Sequence, residues 1–228
     1  MATPDARIQP IPLFGPPGTK GKLPNLLTGL RLLLAAAFFV LLAMFDPGAI
    51  AETRWALLVA LVLFVVAATT DFLDGYLARK WNAVSVFGRV MDPFADKILI
   101  LGAFVMLAGP NFLLAPGTML SGVAPWMAVV IIARELLITS LRGLCESRNV
   151  DFAAAQAGKI KMVVQSVSVP VILLLIWVAT GRADPAPADP LLITAFWVAL
   201  GTTVITAVSA WPYLNKGFRA LRLQESSP

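Results

Sequence analysis

The sequence contains no histidine and only one cysteine among its 228 residues. Without histidine, the chain lacks the usual base at neutral pH, the commonest zinc ligand and every Ser-His or Cys-His catalytic arrangement. The single cysteine, Cys145, excludes an internal disulfide and a thiolate metal cluster, and we expect it to be a small buried apolar residue. Any acid–base chemistry therefore falls to Asp, Glu, Lys or Tyr.

Charged residues are also scarce: they form 14% of the chain against 58% hydrophobic residues, and the mean hydropathy is +0.81. This balance is far from that of a soluble domain and predicts an integral membrane protein. The net charge is +5, but the basic residues lie at the chain ends and between apolar segments. They lack the interleaved aromatics of a nucleic-acid stacking platform, so we expect no nucleic-acid partner.

Six apolar segments approach the roughly twenty residues that are needed to cross a bilayer. They are residues 25–45, 54–73, 87–109, 123–145, 159–180 and 190–213. The sequence therefore predicts an all-α polytopic membrane protein with six transmembrane helices in one domain at residues 23–215. Prolines and glycines interrupt any helical period before Leu23, so residues 1–22 are expected to form a cytosolic tail, partly at the bilayer surface, and residues 216–228 a second one.

The distribution of Lys and Arg predicts the topology, because six spans put both termini on the same side. Only Arg54 and Arg182 fall on the opposite side. The basic residues on the side of the termini are Lys20, Lys22, Arg79, Lys80, Arg148, Lys216, Arg219 and Arg222. Since cytosolic loops carry the excess of basic residues, we expect both termini on the cytosolic face of the inner membrane.

Four aspartates lie at the junction of the second and third apolar segments: Asp71, Asp74, Asp92 and Asp96. An ionised side chain in hydrocarbon costs several kcal/mol unless it is paired. If both segments are helical, each pair shares one helix face. Two such faces would form an oxygen-lined pocket of the kind that binds Mg²⁺, Mn²⁺ or Ca²⁺ together with substrate phosphates. Alternatively, the aspartates form buried ion pairs with the basic residues Arg79, Lys80, Arg89 and Lys97.

Three residues of the same stretch are suited to a diphosphate. Gly75 and Gly88 have no side chain to prevent a ligand from approaching the backbone, and Arg79 offers a planar fork to a phosphate. With no histidine in the chain, Asp96 is a natural candidate for the base that takes the proton from an attacking hydroxyl.

The spacing Asp71-x2-Asp74-Gly75-x2-Ala78-Arg79-x8-Gly88-x3-Asp92-x3-Asp96 resembles the complete signature of the CDP-alcohol phosphatidyltransferase family. The resemblance implies a six-helix membrane enzyme, commonly a homodimer, that moves a phosphatidyl group from a CDP-linked lipid to an alcohol and releases CMP. It implies divalent metal on Asp71, Asp74 and Asp92, with Asp96 as general base near or on a second Mg²⁺ or Mn²⁺ ion. The residues implied for the CDP moiety are Gly75, Ala78, Arg79 and Gly88.

The start of the first span, Pro24-Asn25-Leu26-Leu27-Thr28-Gly29-Leu30-Arg31, resembles the pattern Pro-Asn-x-x-Thr-x-x-Arg of a bacterial branch of this family that uses glycerophosphate. Asn25 and Thr28 lie one turn apart and can line the nucleotide pocket. Asn25 also fits a helix N-cap, and the two hypotheses are compatible.

Four cations in the fourth and fifth spans form a second candidate site: Arg134, Arg142, Lys159 and Lys161. An acceptor that already carries a phosphate needs such cations, whereas choline or plain inositol does not. The segments around them are similar to those of the glycerophosphate branch, except that Met162 replaces the usual threonine. CDP-diacylglycerol and glycerol 3-phosphate are therefore the expected substrates.

Other interpretations remain open from the sequence. The cations can be snorkelling charges, with Arg134 paired to Glu135 or to another carboxylate. A phosphatidylinositol phosphate synthase would need the same cationic pocket. From different functional classes, a small divalent-cation transporter could use the four aspartates for translocation, and a non-catalytic member of the family could bind lipid without turnover.

Overall fold

The computed structural model describes residues 19–81, 86–115, 118–148, 156–182, 189–215 and 217. Within these residues the chain forms six α-helices, at the positions that the apolar segments predict. Their bounds are α1 Thr19–Met44, α2 Ile50–Trp81, α3 Val86–Leu107, α4 Pro125–Ser147, α5 Gln156–Ala179 and α6 Pro190–Val208. The predicted all-α membrane architecture is confirmed, and α1 begins four residues before Leu23.

Four segments in the described part of the chain are long and apolar enough to cross a membrane: Leu26–Met44, Ile50–Thr70, Gly158–Ala179 and Pro190–Asn215. The prediction of six spans is thus borne out for four, and the protein is a multi-pass membrane protein. The other two helices carry more charge. Every 18-residue window of α3 includes Asp92, Asp96 and Lys97, and every such window of α4 includes Arg134, Glu135 and Arg142. Both helices carry predicted site residues: Gly88, Asp92 and Asp96 on α3, and Arg134 and Arg142 on α4.

The helix ends follow local sequence signals. The Asp46-Pro47-Gly48 break lies between α1 and α2, and Asp46 Oδ1 accepts a hydrogen bond from Gly48 N at 2.8 Å. At the start of α6, Asp189 is the N-cap and accepts from Leu191 N at 2.7 Å, with a proline at the first helical position. Both are favoured arrangements for a turn and for a helix start.

The connection between α3 and α4 contains a small element that the all-α prediction did not include. A 3₁₀ turn at Pro110–Phe112 leads into strand β1 (Leu113–Ala115), which pairs antiparallel with β2 (Thr118–Met119). Gly122 follows with φ +65°, and a methyl group there would overlap the backbone of Phe196 in α6. Only glycine satisfies both the positive φ and the close approach.

The described residues divide into two compact units. The first comprises the described residues up to Ala37 together with Leu63–Leu99, and the second comprises Phe38–Val62 and the described residues from Ile100 onward. In the second unit, α6 packs against α5 and α4. Its core includes Cys145, which is fully buried as the sequence predicts, among Ile138, Leu141, Ala210 and Tyr213.

Candidate active site

The two aspartate pairs lie on helices, as predicted. The backbone of α2 is helical through positions 71 and 74, and that of α3 through positions 92 and 96. Each pair is therefore separated by about one helical turn and shares a face of its helix. The predicted nucleotide positions 75, 78 and 79 belong to α2 and position 88 belongs to α3. Except for Asp96, the side chains of all these residues lie outside the described part of the structure.

Asp96 is half-buried on α3, next to the buried Ala95 and one turn before the buried Ile100. In the described part of the chain, no three His, Cys, Asp or Glu side chains come together in a way that could hold a metal ion. The side chains of three of the four predicted ligands, Asp71, Asp74 and Asp92, lie outside that part. Carboxylate oxygens without nitrogen or sulfur donors are the donor set that suits Mg²⁺ or Mn²⁺.

Helix α1 brings one of its two predicted nucleotide residues to a buried position. Thr28 is 1% exposed, and Arg31, one turn later, is fully buried on the same face. The N-cap interpretation of Asn25 is wrong, because α1 begins at Thr19 and position 25 lies inside the helix. The helix accommodates Pro24 in its second turn, where the missing N–H removes a single backbone hydrogen bond. The side chain of Asn25 is outside the described residues.

The second candidate site contains a buried cluster of charges contributed by α4 and α5. Glu135 Oε1 accepts from Arg134 Nη1 at 3.0 Å and from Lys161 Nζ at 2.5 Å. All three residues are less than 10% exposed. Among the described residues, one buried carboxylate thus faces two buried cations. Buried cations of this kind favour the binding of an anion.

The structure brings only two of the four predicted acceptor residues together. Arg134 and Lys161 meet at Glu135, which is the pairing that the alternative interpretation expected for Arg134. Arg142 and Lys159 are exposed. Because residues two apart on a helix lie about 200° apart around its axis, Lys159 and Lys161 start on different sides of α5. Arg142 lies two turns after Glu135 on the same face of α4.

Sequence reasoning missed several polar contacts that either involve Arg134 or join α5 to α6. The Arg134 Nη2 atom donates to Ser209 O at 3.5 Å, and the guanidinium carbon lies 5.6 Å from the centroid of the Tyr213 ring. Between α5 and α6, Gln165 Nε2 donates to Thr206 Oγ1 at 3.1 Å. One turn further, the hydroxyls of Ser168 and Thr202 are hydrogen-bonded at 2.5 Å. The sequence did contain a signal for the last two contacts. Gln165 and Ser168 are three positions apart in one apolar helix, and Thr202 and Thr206 are four positions apart in the next, so each pair shares one helix face.

Comparison with known proteins gives consistent matches over most of the chain. A family model described as CDP-alcohol phosphatidyltransferase matches residues 21–208. Proteins named CDP-diacylglycerol–glycerol-3-phosphate 3-phosphatidyltransferase are similar in several bacteria. The one from Bacillus subtilis is 37% identical over 205 residues, covering 88% of this chain and 97% of that protein. The one from Cereibacter sphaeroides is 30% identical, and the alignment covers 88% of this chain and 97% of that protein. The one from Rickettsia bellii is 31% identical, with 86% of this chain and 97% of that protein covered.

Proposed function

Because the chain belongs to the CDP-alcohol phosphatidyltransferase family, we propose that it transfers the phosphatidyl group of CDP-diacylglycerol to glycerol 3-phosphate and releases CMP. The choice of acceptor rests on the names of its relatives, which match this chain over nearly their whole length. The structural observation that carries it is the buried Arg134–Glu135–Lys161 cluster, whose guanidinium and ammonium groups suit an acceptor that already bears a phosphate.

For the metal, we propose that Asp71, Asp74 and Asp92 hold Mg²⁺ or Mn²⁺, with Asp96 near or on a second ion. The helical spacing of both pairs and the all-oxygen donor set support this assignment. A divalent cation supplies, when bound, the positive charge that neutralises the diphosphate and the departing CMP.

The residues of the chain itself bind and orient the reactants. The Asp96 carboxylate takes the proton from the acceptor hydroxyl. The hydroxyl oxygen of the acceptor attacks the phosphorus that carries diacylglycerol, and the bond between that phosphorus and the CMP oxygen breaks. An in-line displacement of this kind depends mainly on positioning. The side chains that we assign to the CDP moiety are those of Asn25, Thr28, Ala78 and Arg79, with Gly75 and Gly88 allowing its close approach.

We assign the acceptor phosphate to Arg134, Arg142, Lys159 and Lys161. Arg142 and Lys159 are exposed, so an incoming anion can reach them, and the buried Arg134 and Lys161 supply further positive charge. Guanidinium and ammonium groups bind phosphate through charge-assisted hydrogen bonds.

The proposed location is the inner membrane, with both termini and the mouth of the active site on the cytosolic side. The excess of Lys and Arg in the segments on that side supports this orientation. A homodimer is the assembly that we propose, and the donor lipid would enter from the surrounding bilayer. A water-soluble acceptor would then meet a membrane-anchored donor at the cytosolic surface.

The test is CMP release from CDP-diacylglycerol by the purified full-length protein with Mg²⁺, offering glycerol 3-phosphate, inositol phosphate, inositol and serine separately. We expect release with glycerol 3-phosphate alone. Release with inositol phosphate alone would overturn the acceptor and favour a phosphatidylinositol phosphate synthase, because that acceptor needs the same cationic cluster. Absence of release with every acceptor, together with metal flux into proteoliposomes, would instead support the cation transporter.

A further inference from the structure

The Arg134 guanidinium is held from several sides by residues that are distant from it in the chain. Apart from its bond to Glu135, it donates to the Ser209 carbonyl oxygen at 3.5 Å, and its central carbon lies 5.6 Å from the centroid of the Tyr213 ring. A guanidinium within about 6 Å of an aromatic centroid is attracted by the ring quadrupole. Both contacts come from residues 209–215, the segment that follows α6.

Tyr213 is itself firmly packed. It is 4% exposed, and it lies in the cluster formed with Ile138, Leu141 and Cys145 of α4 and with Ala210. An aromatic side chain in such a close-packed environment has little freedom to change its rotamer. The ring can therefore act as a fixed surface for the Arg134 side chain, which starts one turn before Ile138 on α4.

The hydroxyl end of Tyr213 reaches the beginning of α5. A methyl group placed at Gly158 would overlap the Tyr213 hydroxyl oxygen. Gly158 directly precedes Lys159, and Lys161 lies three residues after it. Since glycine permits this close approach and a larger residue would not, Tyr213 touches α4 through its ring and the start of α5 through its hydroxyl.

We propose that Tyr213 is a positioning residue: its ring fixes the Arg134 guanidinium against the lysine-bearing start of α5 and so sets the affinity for the phosphate of the acceptor. This inference rests on the proposed function, since it assumes that Arg134 and its neighbours bind that phosphate. Tyr213 does not touch the reacting atoms in this assignment. Its loss should therefore weaken acceptor binding without affecting the use of CDP-diacylglycerol.

The experiment measures kcat and both KM values for Tyr213→Leu and Tyr213→Phe in the full-length protein. For Tyr213→Leu we expect the KM for glycerol 3-phosphate to rise at least fivefold, equal to about 1 kcal/mol of binding free energy. The KM for CDP-diacylglycerol and kcat should stay within about twofold. Tyr213→Phe keeps the ring over Arg134 and should restore the KM to within about twofold of the original value.

Two control variants separate this role from general damage. Trp211→Leu removes an aromatic ring two residues away that is 67% exposed, and it should leave all three parameters unchanged. Gly158→Ala should displace the Tyr213 hydroxyl and raise the same KM severalfold. Gly201→Ala, where a methyl group meets nothing within 4 Å, should not. If Tyr213→Leu cannot be recovered folded, the test is the KM for glycerol 3-phosphate of Gly158→Ala compared with that of Gly201→Ala.

Equal changes in both KM values, an unchanged KM for glycerol 3-phosphate, or a Phe variant as impaired as the Leu variant would overturn the inference. Its failure can be told apart from failure of the proposed function. If Lys159→Ala raises the KM for glycerol 3-phosphate and Tyr213→Leu does not, the acceptor site stands and the role of Tyr213 falls. If the protein uses a different phosphorylated acceptor, the same KM comparison applies to that acceptor.

Discussion

Two sets of polar side chains are buried among the last three helices, and they differ in how their hydrogen-bonding needs are met. Between α5 and α6, neutral groups satisfy one another: Gln165 bonds to Thr206, and Ser168 bonds to Thr202. Between α4 and α5, Glu135 is shared by two cations. These four residues form a neutral seam, in which the hydrogen bonds join α5 to α6 without any charged group. The charged cluster, formed by Arg134, Glu135 and Lys161, has two cations for one carboxylate among the described residues, and such cations favour the binding of an anion.

The largest effect is expected from removing Glu135, the carboxylate that both cations of the charged cluster contact. Glu135→Ala leaves two buried cations without their carboxylate, and loss of one member of a buried ion pair costs about 3–5 kcal/mol. We expect a large fall in the thermal unfolding temperature of the detergent-purified protein. Glu146→Ala removes an exposed glutamate from the same helix and serves as the control. Similar unfolding temperatures for the two variants would contradict a stabilising role for Glu135.

A second variant tests Asp96, whose carboxylate we assign to catalysis as the general base. Asp96→Asn keeps the size of the side chain but removes its ability to accept a proton, so turnover should fall by on the order of a hundredfold or more. Binding of CDP-diacylglycerol should persist, and a binding assay beside the CMP-release assay checks both. Near-normal turnover would remove Asp96 from the role of base.

A smaller effect is expected at Arg142 and Lys159, the two exposed cations that we assign to the acceptor phosphate. Arg142→Ala or Lys159→Ala should raise the KM for glycerol 3-phosphate about tenfold, because each removes one charge-assisted phosphate contact. The KM for CDP-diacylglycerol should change little. Arg148→Ala, at the exposed end of α4, is the matched control. If the KM values for glycerol 3-phosphate and CDP-diacylglycerol rise equally, the assignment of these two cations to the acceptor phosphate is wrong.

The smallest effect is expected in the neutral seam. Thr206→Val removes the acceptor of Gln165 and should cost about 0.6 kcal/mol, with an upper limit near 2 kcal/mol, as for other interhelical hydrogen bonds in membranes. Thr194→Val is the control, since Thr194 is exposed on the same helix and its hydroxyl donates to the Pro190 carbonyl oxygen of its own helix. Unfolding temperatures, together with the double variant Gln165→Leu/Thr206→Val, measure the pairwise coupling. A coupling of zero would show that the seam is not stabilising.

The sequence predicted the helices well, because long apolar segments separated by Pro and Gly leave few alternatives in a membrane. It was wrong about Asn25 as a helix N-cap, since the prolines and glycines before Leu23 suggested a later helix start than the one at Thr19. The β1–β2 hairpin was also not predicted. Its strands have only three and two residues, which is too short for any periodicity.

For the candidate site, the sequence identified the residue types but not how they meet. The Arg134–Glu135 pair could be anticipated because the residues are adjacent. The contact of Glu135 with Lys161 joins residues 26 positions apart, and the approach of Tyr213 to Gly158 depends on how three helices pack. Such contacts are set by helix rotation and spacing, which a pattern along one helix does not contain.

The charge on α4 has a consequence for how the chain enters the bilayer during synthesis. A charged residue near the middle of a helix costs roughly 2.5–3.5 kcal/mol on insertion, and α4 carries Arg134 and Glu135 side by side. Lys161 and Tyr213, which enclose these charges in the finished protein, are synthesised only later. The fourth helix should therefore stay close to the insertion machinery until α5 and α6 arrive, and a chain truncated after α4 should insert poorly.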